Sequence, residues 1–153
     1  MNISRRSLLK TAGAMVATFA AGLWAPVRAL AAEWNKSGFD SKAIADALRS
    51  IGATTSTEST EILIKAPEIA ENGAVVPVEV TSRIPNTEFI AILAEKNPFP
   101  LIGTFNLLNG AEGFVSTRVK LGQTSQVKVI VKADGKIYSA SKEVKVTIGG
   151  CGG

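Results

Sequence analysis

Cys151 is the only cysteine in this chain of 153 residues, and it stands two residues from the end, in VKVTIGGCGG. Gly149, Gly150, Gly152 and Gly153 surround it. A structural thiol is normally packed into a core, and glycines offer no side chains to pack around one. They offer an arm without Cβ atoms, which can pass close to another backbone. Cys151 lies three positions beyond Ile148. At about 3.3 Å per residue its thiol can stand roughly 10 Å clear of the last strand position. A sulfur so placed can hold a covalent adduct and enter a narrow active site in another protein.

The rest of the composition narrows the chemistry. There is no histidine anywhere, which removes Ser-His-Asp and Cys-His catalysis, histidine metal sites and a histidine proton shuttle. A single cysteine also removes any intramolecular disulfide or CxxC motif. A free thiol titrates near pH 8.5, and nothing within the glycine arm lowers that value; Lys145 is six residues back. Activation must then come from whatever site the arm enters, which is the behaviour of a carrier and not of an enzyme. Three other readings compete. Cys151 could make a permanent interchain disulfide in an exported structural subunit, could be incidental on a frayed end, or could serve a thiol enzyme such as a peroxidase. The last lacks a resolving cysteine and a nearby base. No cofactor motif and no metal-ligand cluster is visible, so any prosthetic chemistry is expected to be limited to covalent sulfur adducts on Cys151.

The formal charge of +4 looks like a sign of an acidic partner until it is located. Arg5, Arg6, Lys10 and Arg28 carry the excess, no acidic residue precedes Glu33, and beyond residue 31 there are 13 basic and 13 acidic residues. The body is neutral, which argues against nucleic-acid or anionic-membrane binding. The first 31 residues have the parts of an export signal: MNISRRSLLK, an apolar stretch of about 14 residues, and a small-residue end. That stretch is short for a spanning helix, which needs about 20. Arg5 and Arg6, within SRRSLLK, resemble the twin-arginine export motif of bacteria, with Leu8 where Phe is commoner. Ala29-Leu30-Ala31 fits an A-x-A cleavage site. The expected location is the periplasm.

The elements that must hold the arm can be read next. WNKSGFDSKAIADALRSIGA suggests one short helix, with Asp40 or Ser41 as its cap, Ile44, Ala47, Leu48 and Ile51 on one face, and Gly52 at its end. TTSTEST reads as a polar linker. From residue 60 the apolar period becomes two: TEILIKAP, NGAVVPVEV, EFIAILAE, LIGTFNLLN, FVSTRVKLG, and SQVKVIVKADGKIYSASKEVKVTI with a hairpin at Asp134-Gly135. Pro77 points to an edge or a bulge, and Asn72-Gly73 to a turn. About seven short strands with one wet face predict a mainly β protein. The expected fold is an immunoglobulin-like antiparallel β-sandwich with a short N-terminal helix; a small barrel is the alternative. The expected organisation is a cleaved signal over 1–31, helix and linker over 32–58, a sandwich over 59–148 and the carrier arm over 149–153.

Several stretches resemble one family. VKVTIGGCGG is similar to the C-terminus of SoxY proteins, the sulfur-carrier subunits of bacterial thiosulfate oxidation. APEIAENGAVVPVEVTSRI (66–84), NPFPLIGTF, STRVKLGQTSQV and KADGK are similar to its strands and turns, so the likeness covers about residues 38–153. The resemblance implies that Cys151 is the carrier cysteine and that the four glycines form a swinging arm. It implies SoxZ as the constant partner in a heterodimer, exported together with this chain. Transient contacts would be with the c-type cytochrome SoxXA, the hydrolase SoxB and the sulfur dehydrogenase SoxCD.

Replacing Arg5 and Arg6 together with lysine is expected to abolish export, measured as loss of the processed chain from the periplasmic fraction. Mass spectrometry of the exported wild-type chain is expected to find Ala32 or Glu33 as its first residue.

Overall fold

The computed structural model describes residues 34–108 and 110–147. Two compact units are distinguished along the chain, Met1–Trp34 and Asn35–Gly153; only Trp34 of the first is described, and it is exposed.

The second unit has two sheets. Nine strands are described: β1 (Thr57–Glu58), β2 (Ile62–Lys65), β3 (Ile69–Ala70), β4 (Val76–Ser82), β5 (Thr87–Ala94), β6 (Leu101–Asn106), β7 (Phe114–Val119), β8 (Ser125–Ala133) and β9 (Lys136–Val146). The larger sheet has the order β1-β9-β8-β5-β6, with β3 also on β9, and the smaller has the order β2-β4-β7. The period-two runs all became strands, so the mainly β sandwich expected from sequence is the fold. The two strands beyond the expected seven, β1 and β3, are two residues long and pair parallel to β9, while the other pairings are antiparallel. Two residues carry no detectable periodicity, which is why polar TTSTEST reads as a linker although Thr57 and Glu58 lie opposite Tyr138 and Ser139.

The alternating valines do what their spacing requires. Val76, Val78 and Val80 from β4, Val115 and Val119 from β7, and Val127, Val129 and Val131 from β8 are buried between the sheets. β4 is the middle strand of its sheet, yet Pro77 is tolerated. β2 reaches only as far as Glu79, so at Pro77 the strand has a neighbour, Arg118, on one side alone. The Asp134-Gly135 hairpin has φ of 49° and 70° at its two central residues, the left-handed pair that this turn demands.

A third layer covers the outer face of the larger sheet. Helix α1 (Lys36–Phe39) and helix α2 (Ile44–Ser50) stand where a single helix was expected. Asn35 caps α1 through its side chain, and neither Asp40 nor Ser41 caps α2. The Asp40 amide closes instead on Lys36 O, its carboxylate pairs with Lys36 Nζ, and the Ser41 hydroxyl donates to Ser37 O. Ala43, the residue before α2, is extended, with φ −106° and ψ 137° and no side-chain cap. The apolar face is as expected: Ala47 and Ile51 are buried, with Ile44 and Leu48 against them, over Ala91, Leu93, Leu101 and Ile130 of the sheet. Gly52, at φ 68°, ends the helix. β5 is thus covered on both faces, and Ile90 to Ala94 are all fully buried.

Ile130 joins the helical layer to the sheet and has no exposed surface. Ile130→Ala is expected to lower unfolding free energy by about 2–5 kcal/mol through lost burial and a residual cavity. Lys65→Ala, which removes an exposed ion pair with Glu79, should cost less than about 1 kcal/mol. Urea unfolding followed by far-UV circular dichroism measures both.

Candidate functional site

Cys151, Gly149, Gly150, Gly152 and Gly153 lie outside the described residues, as do Arg5, Arg6, Ala29 and Ala31. The described part of the site is the root from which the arm leaves. β9 ends at Val146, and Thr147 is the last described residue. β3 lies alongside this end, with Ile69 opposite Lys145 and Ala70 opposite Val146. Lys145 N–H donates to Glu68 O at 2.9 Å and Thr147 N–H to Ala70 O at 3.2 Å. From the other side, the Thr124 hydroxyl accepts from Val146 N–H at 3.0 Å. β9 is therefore held on both edges at Val146, its last residue.

The turns around the root are tied to each other. Asn72 Oδ1 accepts from Ala74 N–H at 2.9 Å, which confirms the turn expected at Asn72-Gly73. Gly73 is there for space as well. Its carbonyl accepts from Leu121 N–H at 2.7 Å, and a Cβ added to it would stand 2.4 Å from Leu121 O and 2.8 Å from a methyl of Val146. Asn97 bridges to the next turn, donating to Lys120 O at 2.7 Å and accepting from Gly122 N–H at 3.1 Å. Farther back on β9, Lys142 Nζ donates to Ala66 O at 2.7 Å, holding the segment that crosses between the sheets. Sequence reasoning missed Gly73, Thr124 and β3 as parts of the root. The Asn-Gly pair signalled a turn, but nothing in the sequence signalled how closely that turn meets Leu121.

Cys151 follows Thr147 by four positions, so covalent geometry limits it to within roughly 14 Å of that residue. This limit decides what the body can contribute. A shallow cavity of about 610 Å³ is lined by Thr55, Ser56, Thr57, Gly135, Lys136, Ile137 and Tyr138. It lies at the other end of β9, ten residues from Val146, or roughly 33 Å away. The thiol cannot reach it. Among the described residues there is no cluster of His, Cys, Asp or Glu fit to hold a metal and no helix long and apolar enough to cross a membrane. Every buried side-chain polar atom described has a hydrogen-bond partner. The described groups near the root are strand and turn amides, hydroxyls, and lysines and glutamates at the surface.

Residues 48–151 match the family model described as "Sulfur oxidation protein SoxY". Among solved structures, the chain is similar to the sulfur carrier protein SoxY from Chlorobium limicola f thiosulfatophilum. The identity is 43%, over 69% of this chain and 96% of that one, with a TM-score of 0.62. It is also similar to the superoxide reductase (neelaredoxin) of Ignicoccus hospitalis, at 25% identity over 57% of this chain and 83% of that one, with a TM-score of 0.50. No curated protein matches it. With a family match that runs over more than half its length and ends on its one cysteine, the chain belongs to the SoxY family of sulfur oxidation proteins.

Proposed function

We propose that this chain carries sulfur covalently on Cys151 and presents it to separate enzymes of thiosulfate oxidation. The observation that supports this most directly is that the family match ends on Cys151, the one thiol in the chain. In the first step a sulfur–sulfur bond forms between the Cys151 thiol and thiosulfate. The thiol proton is released, and two electrons leave one at a time through the heme of a c-type cytochrome, leaving a cysteine S-thiosulfonate. Water then cleaves the bond between the sulfane sulfur and the sulfone, releasing sulfate and two protons and leaving a persulfide anion on Cys151. An acceptor thiol takes the remaining sulfane as its own persulfide and releases the Cys151 thiol, or a sulfur dehydrogenase removes electrons from the sulfane while it is still bound. The chain is not itself an enzyme in this scheme. It supplies a tether, and SoxXA, SoxB and SoxCD supply the catalysis.

The body suits that division of labour. A root held on both edges of β9 gives the arm a fixed origin, and the glycines give it freedom to enter a narrow site. SoxZ is the proposed heterodimeric partner, and the proposed location is the periplasm, reached through the Arg5-Arg6 leader with cleavage near Ala29-Leu30-Ala31.

Intact-mass spectrometry of the chain taken from thiosulfate-grown cells is expected to show adducts of varied mass, all lost on reduction. One dimeric species returning a free thiol would indicate an interchain disulfide instead. Cys151→Ser is expected to abolish thiosulfate-dependent electron transfer in the reconstituted system while moving stability by less than about 0.5 kcal/mol. Deleting Gly149 and Gly150 keeps the thiol but withdraws it by roughly 7 Å. Small reagents should then label Cys151 at the normal rate while turnover with the partner enzymes falls. Full activity in the shortened chain would sink the account of the glycines.

A further inference from the structure

Asn72 and Asn109 are the two asparagines that a glycine follows. Such a pair carries chemistry of its own. The backbone nitrogen of the second residue is held near the side-chain carbonyl carbon of the first, Cγ, and attack on that carbon closes a five-membered ring. Asparagine is a labile residue for this reason, and a glycine after it puts no Cβ in the way of the approach. Every other described asparagine is followed by a residue that has a Cβ.

The turn around Asn72 holds the groups that this attack needs. Ala74 N–H donates to Asn72 Oδ1 at 2.9 Å. Negative charge develops on that oxygen when a nucleophile adds to Cγ, so a donor is already in place to stabilise it. The nucleophile is uncommitted: among the described residues no acceptor is found for Gly73 N–H. The turn is closed by Val75 N–H on Asn72 O at 3.4 Å, long for a backbone hydrogen bond. Asn72 itself is exposed, so water can reach a ring formed there.

We propose that Asn72 is a self-modification site, and that its isoaspartyl product unfastens the end of β9. The Gly73 nitrogen attacks Asn72 Cγ and the Cγ–Nδ2 bond breaks. The Gly73 proton leaves with the side-chain nitrogen as ammonia, and a succinimide remains. Water then opens the ring. If it breaks the new bond from nitrogen to Cγ, the product is aspartate at 72. If it breaks the original peptide bond, the product is isoaspartate, in which the main chain runs through Cγ. Nothing is oxidised or reduced; one water is taken up and one ammonia released.

The two products differ in what they do to the root. Aspartate keeps an oxygen for Ala74 N–H and leaves the main chain as it was. Isoaspartate lengthens the main chain by one carbon immediately before Gly73, which has no room to move. The Gly73 carbonyl holds Leu121 N–H at 2.7 Å, and a single added carbon would stand 2.4 Å from Leu121 O and 2.8 Å from a methyl of Val146. Two residues before Asn72, Ala70 pairs with Val146 and accepts from Thr147 N–H. Displacing Gly73 therefore loosens the strand at the residues from which the arm departs. Asn109 is the contrasting case, since a Cβ on Gly110 would meet nothing within 4 Å. This inference does not depend on the sulfur chemistry.

The test uses the full mature chain carrying Cys151→Ser, so that no thiol chemistry contributes, aged in mildly alkaline buffer. Peptide mapping with isoaspartyl methyltransferase labelling should find isoaspartate at 72, formed at no less than about a tenth of the rate at Asn109. A second chain, also carrying Asn109→Ser, isolates the effect on the root. Its modified fraction gains one negative charge and is separated by anion exchange. In that fraction the amides of Val146 and Thr147 should exchange with deuterium about tenfold faster or more, while those of β5 keep their protection. Asn72→Ser retains a short side-chain acceptor for Ala74 N–H but has no carbonyl carbon to attack. It should give no product at 72 and keep slow exchange at Val146 and Thr147 after the same ageing. Absence of isoaspartate at 72 while Asn109 converts would overturn the proposal. So would a modified fraction whose root exchanges no faster than the unmodified chain, or an Asn72→Ser chain whose root loosens equally on ageing.

Discussion

β9 is hydrogen-bonded along both edges at each of its ends, and the rest of the unit is arranged around that fact. On one side it pairs with β8 from Lys136 to Val144. On the other it receives β1 beside Tyr138 and β3 beside Val146, both in parallel. β1 and β3 both run in the direction of β9, so the chain between them has to turn back. It does so by leaving the larger sheet after β1, making β2 in the smaller sheet, and returning as β3. This detour fastens the two sheets together along one side, and the Lys142 ammonium on Ala66 O sits at the crossing. A strand free on one edge would fray at its end. Here Val146, the last residue of β9, has a neighbour on each side.

The core explains why that clamp holds its position. β5 is buried on both faces because α1 and α2 cover the side that the smaller sheet does not. Register in a strand with one buried face is set by the hydrophobic pattern, since a slip of one residue turns every side chain over. β5 is apolar on both faces from Ile90 to Ala94, so the alternation that distinguishes one register from the next lies in β8, where Val127, Val129 and Val131 face the smaller sheet and Lys128 and Lys132 do not. The closeness of Gly73 to Leu121 and Val146 then follows from packing between layers and not from the turn alone.

Most of this was legible in the chain because period-two burial is a direct consequence of strand geometry. Val127, Val129 and Val131 declared β8, and Asp134-Gly135 declared the hairpin. What escaped had no periodic signal. β1 and β3 are too short to show one. The helical segment was divided because Asn35 caps a first turn by itself and Ala43 is extended, neither of which is fixed by the apolar face of Ile44, Ala47, Leu48 and Ile51. For the site, the thiol and its glycines were plain from composition. The root was not, because Thr124, Gly73 and Ala70 come from three separate turns and strands and meet only in space.

The separation between body and thiol has a physical reason that bears on the proposed carrier. A sulfur that must serve several catalysts gains nothing from a built-in base. Any group that stabilised its thiolate at home would have to be abandoned each time the arm entered another site, and the loss would weaken every encounter. A neutral arm avoids that cost, so each enzyme can tune the same sulfur by its own charges. The burden left to this chain is mechanical: an origin that does not move and a length that reaches. In the proposed carrier β9, paired on two edges, is the origin, and the glycines are proposed to add distance without bulk.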